Sequence, residues 1–154
     1  MATDDWDDAW PAAQIGGLTT LRLLILPGPK GQDVDHDLGW QIFADSFDRN
    51  SERGLLLTGE IIQPTGDWFV TVAGRVVVRF PPGAAPDLGS DDALDEALRQ
   101  FGPWAAHVLW DHCRGVLIQA SSSFPFELSL PTITPRPVLV TNAMKREAEA
   151  PDPD

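Results

Sequence analysis

The side chains best suited to chemistry fall in one short run, His107, Asp111, His112 and Cys113. At i, i+4, His107 and Asp111 share a helix face, which is half of a zinc site. His112 and Cys113 fall on other faces, so three ligands do not converge, and the remaining histidine, His36, lies in a polar loop. Ser121-Ser122-Ser123 follows closely, but no Gly-x-Ser-x-Gly elbow is present and no strand leads into the serines. They read as a polar connector. Gly83 and Gly89 sit among prolines rather than in a phosphate-cradling loop. Cys113 is most simply a small apolar core residue. These residues therefore predict no enzyme, no metal and no cofactor.

The totals set the class. A chain of 154 residues with 43% hydrophobic residues has room for one domain with a real core, and for no second one. Twenty-three acids stand against 11 bases, a formal charge of −12, so phosphate backbones and anionic lipid surfaces are repelled. Nucleic acid is excluded as a partner. One cysteine permits no internal disulfide, and the acidic opening Met1–Asp8 lacks the basic flank of a signal peptide. No apolar run approaches the roughly 20 residues of a membrane span. A soluble cytoplasmic domain without membrane insertion is the expectation.

Four strands are expected to position the rest. Residues 1–17 read as an acidic arm with Trp6 and Trp10 among aspartates, disordered or docking by its tryptophans. Leu18–Leu26 follows as a strand with Leu21, Leu23 and Ile25 on one face and Thr20 and Arg22 on the other. Trp40–Phe47 is a weaker strand and Leu55–Ile62 a third. Trp68–Phe80 alternates most clearly, its apolar face interrupted only by Gly74. Short turns between consecutive strands favour an antiparallel meander. Pro81–Pro86 is a stiff linker, and Ser90 an N-cap for a short helix ended by Gly102.

Pro103 then suits the first position of a long helix running to Ala120. Asp111 and Arg114, at i, i+3, are expected to pair. Gly115 in mid-helix costs about 1 kcal/mol relative to alanine, a cost explained if a neighbouring backbone, such as the same helix of another subunit, approaches closely there. Beyond it, Phe124, Phe126, Leu128 and Leu130 alternate with Pro125, Glu127 and Ser129, an extended ribbon that its prolines confine to a sheet edge or to no sheet. Trp40, Trp68, Trp104 and Trp110, beside Phe124 and Phe126, either line a groove for extended apolar peptide or fill the core and a subunit interface. The fold class is α+β: a four-stranded antiparallel sheet packed with a long C-terminal helix, as one domain over 18–140, with 141–154 an acidic tail expected to be disordered.

This layout resembles the SecB family of export chaperones. The local match is the helix ending near Ala120 followed by Phe124-Pro125-Phe126-Glu127-Leu128-Ser129-Leu130-Pro131, similar to the family's Phe-Pro-x-Leu-x-Leu-x-Pro segment. The resemblance implies a homotetramer, a dimer of dimers with helices sandwiched between outer sheets. It also implies ATP-independent holding of unfolded or preprotein clients in aromatic grooves. Phe124, Phe126, Leu128 and Leu130, with Trp110 and Trp40, would then bind client, and Leu109, Cys113, Gly115 and Val116 would lie at the subunit interface. Three departures stand out. Leu109–Arg114 replaces the family's Pro-Tyr-x-Arg-Glu run. Trp68–Phe80 carries Arg75 and Arg79 and no carboxylate. Pro135-Arg136-Pro137 and the tail stand where a second C-terminal helix is expected. They weigh against docking on the SecA motor and toward a divergent member that protects a dedicated antitoxin. The alternative is a SecB-like adaptor for one protein partner, without chaperone activity.

Overall fold

The computed structural model describes residues 13–28, 37–81 and 83–150. The elements are β1 (Gln14–Pro27), β2 (Gly39–Arg49), β3 (Glu52–Thr65), β4 (Trp68–Arg79), α1 (Asp91–Ser121), β5 (Val138–Leu139) and α2 (Asn142–Glu149). The α+β class is as expected, but the sheet differs in two ways from a four-stranded antiparallel meander. Its order is β1-β4-β3-β2-β5. β2, β3 and β4 form the hairpin-linked antiparallel run, with Ile42 opposite Gly59 and Leu57 opposite Val76. β1 instead pairs with β4 at the far edge, Leu23 opposite Val72. The connection from Pro27 to Gly39 exceeds a tight hairpin loop, so nothing obliges β1 and β2 to be neighbours. The fifth strand, β5, adds to β2 in parallel, Val138 opposite Gln41. Two residues carry no readable alternation; the open edge of β2 supplies the pairing.

One face of this sheet carries α1. Leu55, Leu57, Ile61, Val70, Val72, Val76 and Val78 are fully enclosed under Leu98, Leu109, Trp110, Cys113 and Leu117 of the helix. Each such side chain contributes about 1.5–3 kcal/mol relative to an exposed one. Gly59 and Gly74 lie opposite each other in the ladder, directly beneath the helix. A Cβ on Gly59 would stand 2.7 Å from the Trp40 ring and 3.1 Å from Leu109 Cβ, and one on Gly74 would stand 2.9 Å from Cys113 Sγ. The gap that Gly74 leaves in the apolar alternation is thus the place where α1 descends onto the sheet. Gly115, expected to be the point of close approach, has nothing within 4 Å of its Cβ direction in this chain.

A single helix replaces the two expected. Ser90 caps it, its hydroxyl accepting from Ala93 N–H at 3.2 Å, and Asp91 and Asp92 complement the dipole in the first turn. The helix passes through Gly102-Pro103 without ending. Pro103 is exposed, and its missing N–H removes only one intrahelical bond. Gly102 is buried against the Leu139 side chain, which would meet an added Cβ at 2.9 Å. Packing on both sides of the break therefore outweighs the two breakers.

The tail is also a correction, because residues 142–149 form α2 where 141–154 was expected without structure. Thr141 caps α2 through Met144 N–H at 3.2 Å. The buried Asp95 carboxylate accepts from the N–H groups of Asn142 at 2.7 Å and Ala143 at 3.2 Å. A charged tail with little apolar surface cannot fold alone, and the remote carboxylate that holds its first turn was not readable nearby in sequence. Residues 1–12 of the expected arm and residues 151–154 lie outside the described residues, while β1 already begins at Gln14.

The two kinds of glycine predict opposite outcomes within a single chain. Gly59→Ala should lower stability by about 1–3 kcal/mol through overpacking, whereas Gly115→Ala, measured at concentrations where the chain is monomeric, should raise it by up to about 1 kcal/mol. Urea unfolding midpoints of both variants check the pair.

Candidate functional site

After α1 the chain reverses, Phe124 N–H donating to Ser121 C=O at 3.0 Å, and the ribbon returns along the helix flank. Thr65 donates to Glu127 C=O at 3.3 Å and Trp110 Nε1 donates to Pro131 C=O at 3.3 Å. His107 Nδ1 lies 2.6 Å from the Thr134 hydroxyl. The alternation read from sequence is present, but its apolar side turns toward its own subunit. Leu130 is buried, Phe126 and Leu128 are half-buried, and Phe124 is the open end of the series. Phe124 and Phe126 meet Trp68, the first residue of β4, with all three ring centroids 5.5–5.8 Å apart. This aromatic trio is the accessible part of the expected client site.

The tryptophans divide between core and surface. Trp40 of β2 and Trp110 of α1 pack edge to face at 5.2 Å and are buried between the helix and the sheet. A side chain enclosed by its own subunit has no surface to offer a client, so both leave the expected groove. Leu130 leaves it for the same reason. Leu109 and Cys113 are likewise fully enclosed, against β3 and β4, and are core residues rather than subunit contacts. Gly115 is exposed and Val116 half-buried.

Two apolar surfaces remain open on the single chain. On α1, Trp104, Val108, Gly115 and Ile118 recur at steps of three, four and seven residues along one outward face, which the exposed Asp111 interrupts between Val108 and Gly115. On β1, Leu18, Leu21, Leu24 and Leu26 are exposed along an edge strand of 14 residues, whose outer N–H and C=O groups are a template for further pairing. Sequence reading missed this edge because irregularities in the pairing at Gly16/Thr19 and Thr20/Arg22 shift the faces of β1. Thr20 thereby joins Leu23 on the helix side, its hydroxyl 2.9 Å from His112 Nε2. The signal available was Leu23-Leu24-Ile25-Leu26, four consecutive apolar residues with no polar face. On the face away from α1, Arg22 pairs with the nearly buried Glu60, which also accepts from Gln41 Nε2 at 2.8 Å.

Of the described residues with reactive side chains, His107 and Asp111 stand together on the exposed face of α1, His112 meets Thr20 and Cys113 is buried. Asp111 pairs with His107 Nε2 at 3.3 Å rather than with Arg114. Thr134, His107 and Asp111 thus stand in the order of nucleophile, base and acid. The His107 and Asp111 side chains are 71% and 56% exposed, where water competes for every contact in the series. Among the described residues no three His, Cys, Asp or Glu side chains gather as a metal site, and no helix is long and apolar enough to cross a membrane. Burial pushes the Cys113 thiol up to about 12, the nearby Glu60 charge adding to the effect and a backbone hydrogen bond from Gly74 opposing it.

None of the protein-family models matches the chain, and no curated protein matches it in sequence. Among solved structures, the SecB-like chaperone of Mycobacterium tuberculosis, in complex with a ChAD peptide from the HigA1 antitoxin, is similar at 16% identity and a TM-score of 0.45. The similarity covers 82% of this chain and 93% of that one.

A neutral, enclosed thiol should resist alkylation at pH 8 until the chain is unfolded in urea. The folded thiol keeps its proton to about pH 12 while the unfolded one loses it from about pH 9. Its contribution to stability is therefore full below pH 9 and is lost as pH rises, by about 1.4 kcal/mol per unit. Urea titrations between pH 8 and 10.5 should show this slope, and Cys113→Ala should remove it.

Proposed function

We propose that the chain is a SecB-like, ATP-independent molecular chaperone of the cytoplasm that holds unfolded or non-native polypeptides. The observation that carries this reading is that one chain leaves apolar surface open in separate places, beyond the scattered exposed residues ordinary for a monomer. The outward stripe of α1 and the edge of β1 suit further copies of the chain. A face that includes Gly115 lets two helices approach closely there, and an unpaired strand edge extends a sheet across a two-fold axis. The resulting assembly is a homotetramer, a dimer of dimers. Phe124, Phe126 and Trp68, with Leu128 beside them, take the client, because aromatic faces bind extended apolar chain with little demand on sequence.

The client is either a preprotein bound for export or a dedicated antitoxin. Arginine favours the second. On the sheet face turned away from α1, β4 presents Arg75 and Arg79 and no carboxylate, and Arg22 neutralises Glu60, which weakens the acidic surface needed to meet a cationic motor docking site such as SecA presents in the family this chain resembles. The chain works without catalysis, metal or nucleotide.

Light scattering of the purified chain should report a tetramer, and the tetramer should suppress aggregation of a chemically unfolded client without nucleotide. The double change Phe124→Ser and Phe126→Ser should abolish suppression at unchanged mass, and Gly115→Leu should reduce the mass. A monomer with no effect on client aggregation contradicts the proposal. A tetramer that protects one partner and no general client selects the adaptor instead.

A further inference from the structure

The sheet has a second face, turned away from α1, and the pairing registers place large apolar side chains on it. Leu56, Ile62, Phe69 and Val77 of β3 and β4 are half-buried there, and Leu24 and Leu26 of β1 are 38% and 48% exposed. The strands accordingly read as continuous apolar runs, Leu55-Leu56-Leu57, Ile61-Ile62 and Val76-Val77-Val78, where a sheet with one wet face would alternate. Runs of this kind belong to sheets covered on both sides. Among the described residues, α1 packs on the other face and α2 packs on α1, so neither helix covers this one. The Lys145 ammonium of α2 reaches its β2 margin, 5.8 Å from the Phe43 ring centroid.

The charge of this face opposes that of the chain as a whole. β4 presents Arg75 and Arg79 and no carboxylate, and neither arginine has an ion pair among the described residues. Arg75 Nε donates to the Thr58 hydroxyl at 3.2 Å, and the Arg79 side chain is exposed. Nearer the centre Arg22 and Glu60 neutralise each other. At the hairpin of β2 and β3, Arg49 stands opposite Glu52, which leaves Asp45 to offset the two arginines of β4. A positive excess thus sits on a chain of net charge −12. These features narrow the occupant. A second copy laid face to face brings the same positive excess onto itself, and a phosphate backbone leaves the leucines and the phenylalanine uncovered. A helix that is apolar along one side and carries carboxylates meets both.

We propose that this face docks an acidic amphipathic helix of a partner protein along β4, with apolar side chains over Leu24, Ile62 and Phe69 and carboxylates over Arg75 and Arg79. From Phe69 to Arg79 the strand runs about 33 Å at 3.3 Å per residue, the length of a helix of about 22 residues. The carboxylates group toward one end of that helix, because the arginines lie at one end of β4. The side chains of β1 stand perpendicular to its edge, so the face stays open whether or not another copy pairs there. The aromatic trio packs on the opposite side of the sheet, and the inference does not rest on the chaperone reading.

Two synthetic helical peptides of about 22 residues test it. They share one stripe of leucine and phenylalanine, and carry either glutamate or lysine toward one end. Titrated into the isotope-labelled full-length chain, the glutamate peptide should shift the amides of Leu24, Ile62, Phe69 and Val77 and bind at least about tenfold more tightly than the lysine peptide. Arg75→Gln combined with Arg79→Glu should remove that preference. Arg79→Glu alone, at an exposed side chain, should reduce it and keeps the test valid if the double variant fails to fold. Absence of binding, equal affinity for the two peptides, or tighter binding of a single-stranded oligonucleotide overturns the proposal. So do shifts confined to residues 124–128, which would make the peptide a client of the ribbon and leave the chaperone reading intact.

Discussion

The depth at which α1 lies on the sheet is the constraint from which the rest follows. Gly59 and Gly74, opposite each other in adjacent strands, leave a floor with no side chains, and Cys113 and Leu109 come down onto it. Only at that depth does Trp110 reach Trp40 edge to face, and only there does its indole N–H meet the Pro131 carbonyl. The ribbon is thereby led back along the helix flank instead of standing free. Leu139 closes against Gly102 at the other end, and β5 and α2 follow from that contact. Two missing methyl groups thus decide where more than 20 residues of the C-terminal chain can go.

A second consequence concerns what stays outside. Because the helix is sunk into the sheet, its inner face is spent on the core, and of its large apolar side chains Trp104, Val108 and Ile118 are exposed, on a face that also carries Asp111 and Gly115. β1 is left with leucines on an unpaired edge. The ribbon, docked by its alternate residues, exposes aromatic surface only where Phe124 and Phe126 meet Trp68. Core and open apolar surfaces are therefore different side chains of the same elements.

Much of this was legible in the sequence. The strands near Ile42, Leu57 and Val72 follow from apolar alternation, and the Ser90 cap from its type and its position before two aspartates. The apolar rhythm of the ribbon was also plain. What was hidden depends on contacts between residues far apart. Trp40 and Trp110 look the same in sequence as Trp68, and only the height of the helix makes them core. Gly102-Pro103 has the local form of a helix end, yet burial on both flanks carries α1 through it. α2 owes its first turn to Asp95, 47 residues upstream of Asn142. β1 deceived by its irregular pairing, since each shift of one residue exchanges the faces of everything beyond it.

The proposed division of open apolar surface between further copies of the chain and client is tested most directly by hydrogen exchange on the purified protein, with and without an unfolded client. Amides of β1 and of helix residues 104–118 should already be slow without client, and client should slow those of residues 124–128 and of Trp68 and Phe69 alone. Client protection on β1, with the ribbon unchanged, would contradict it.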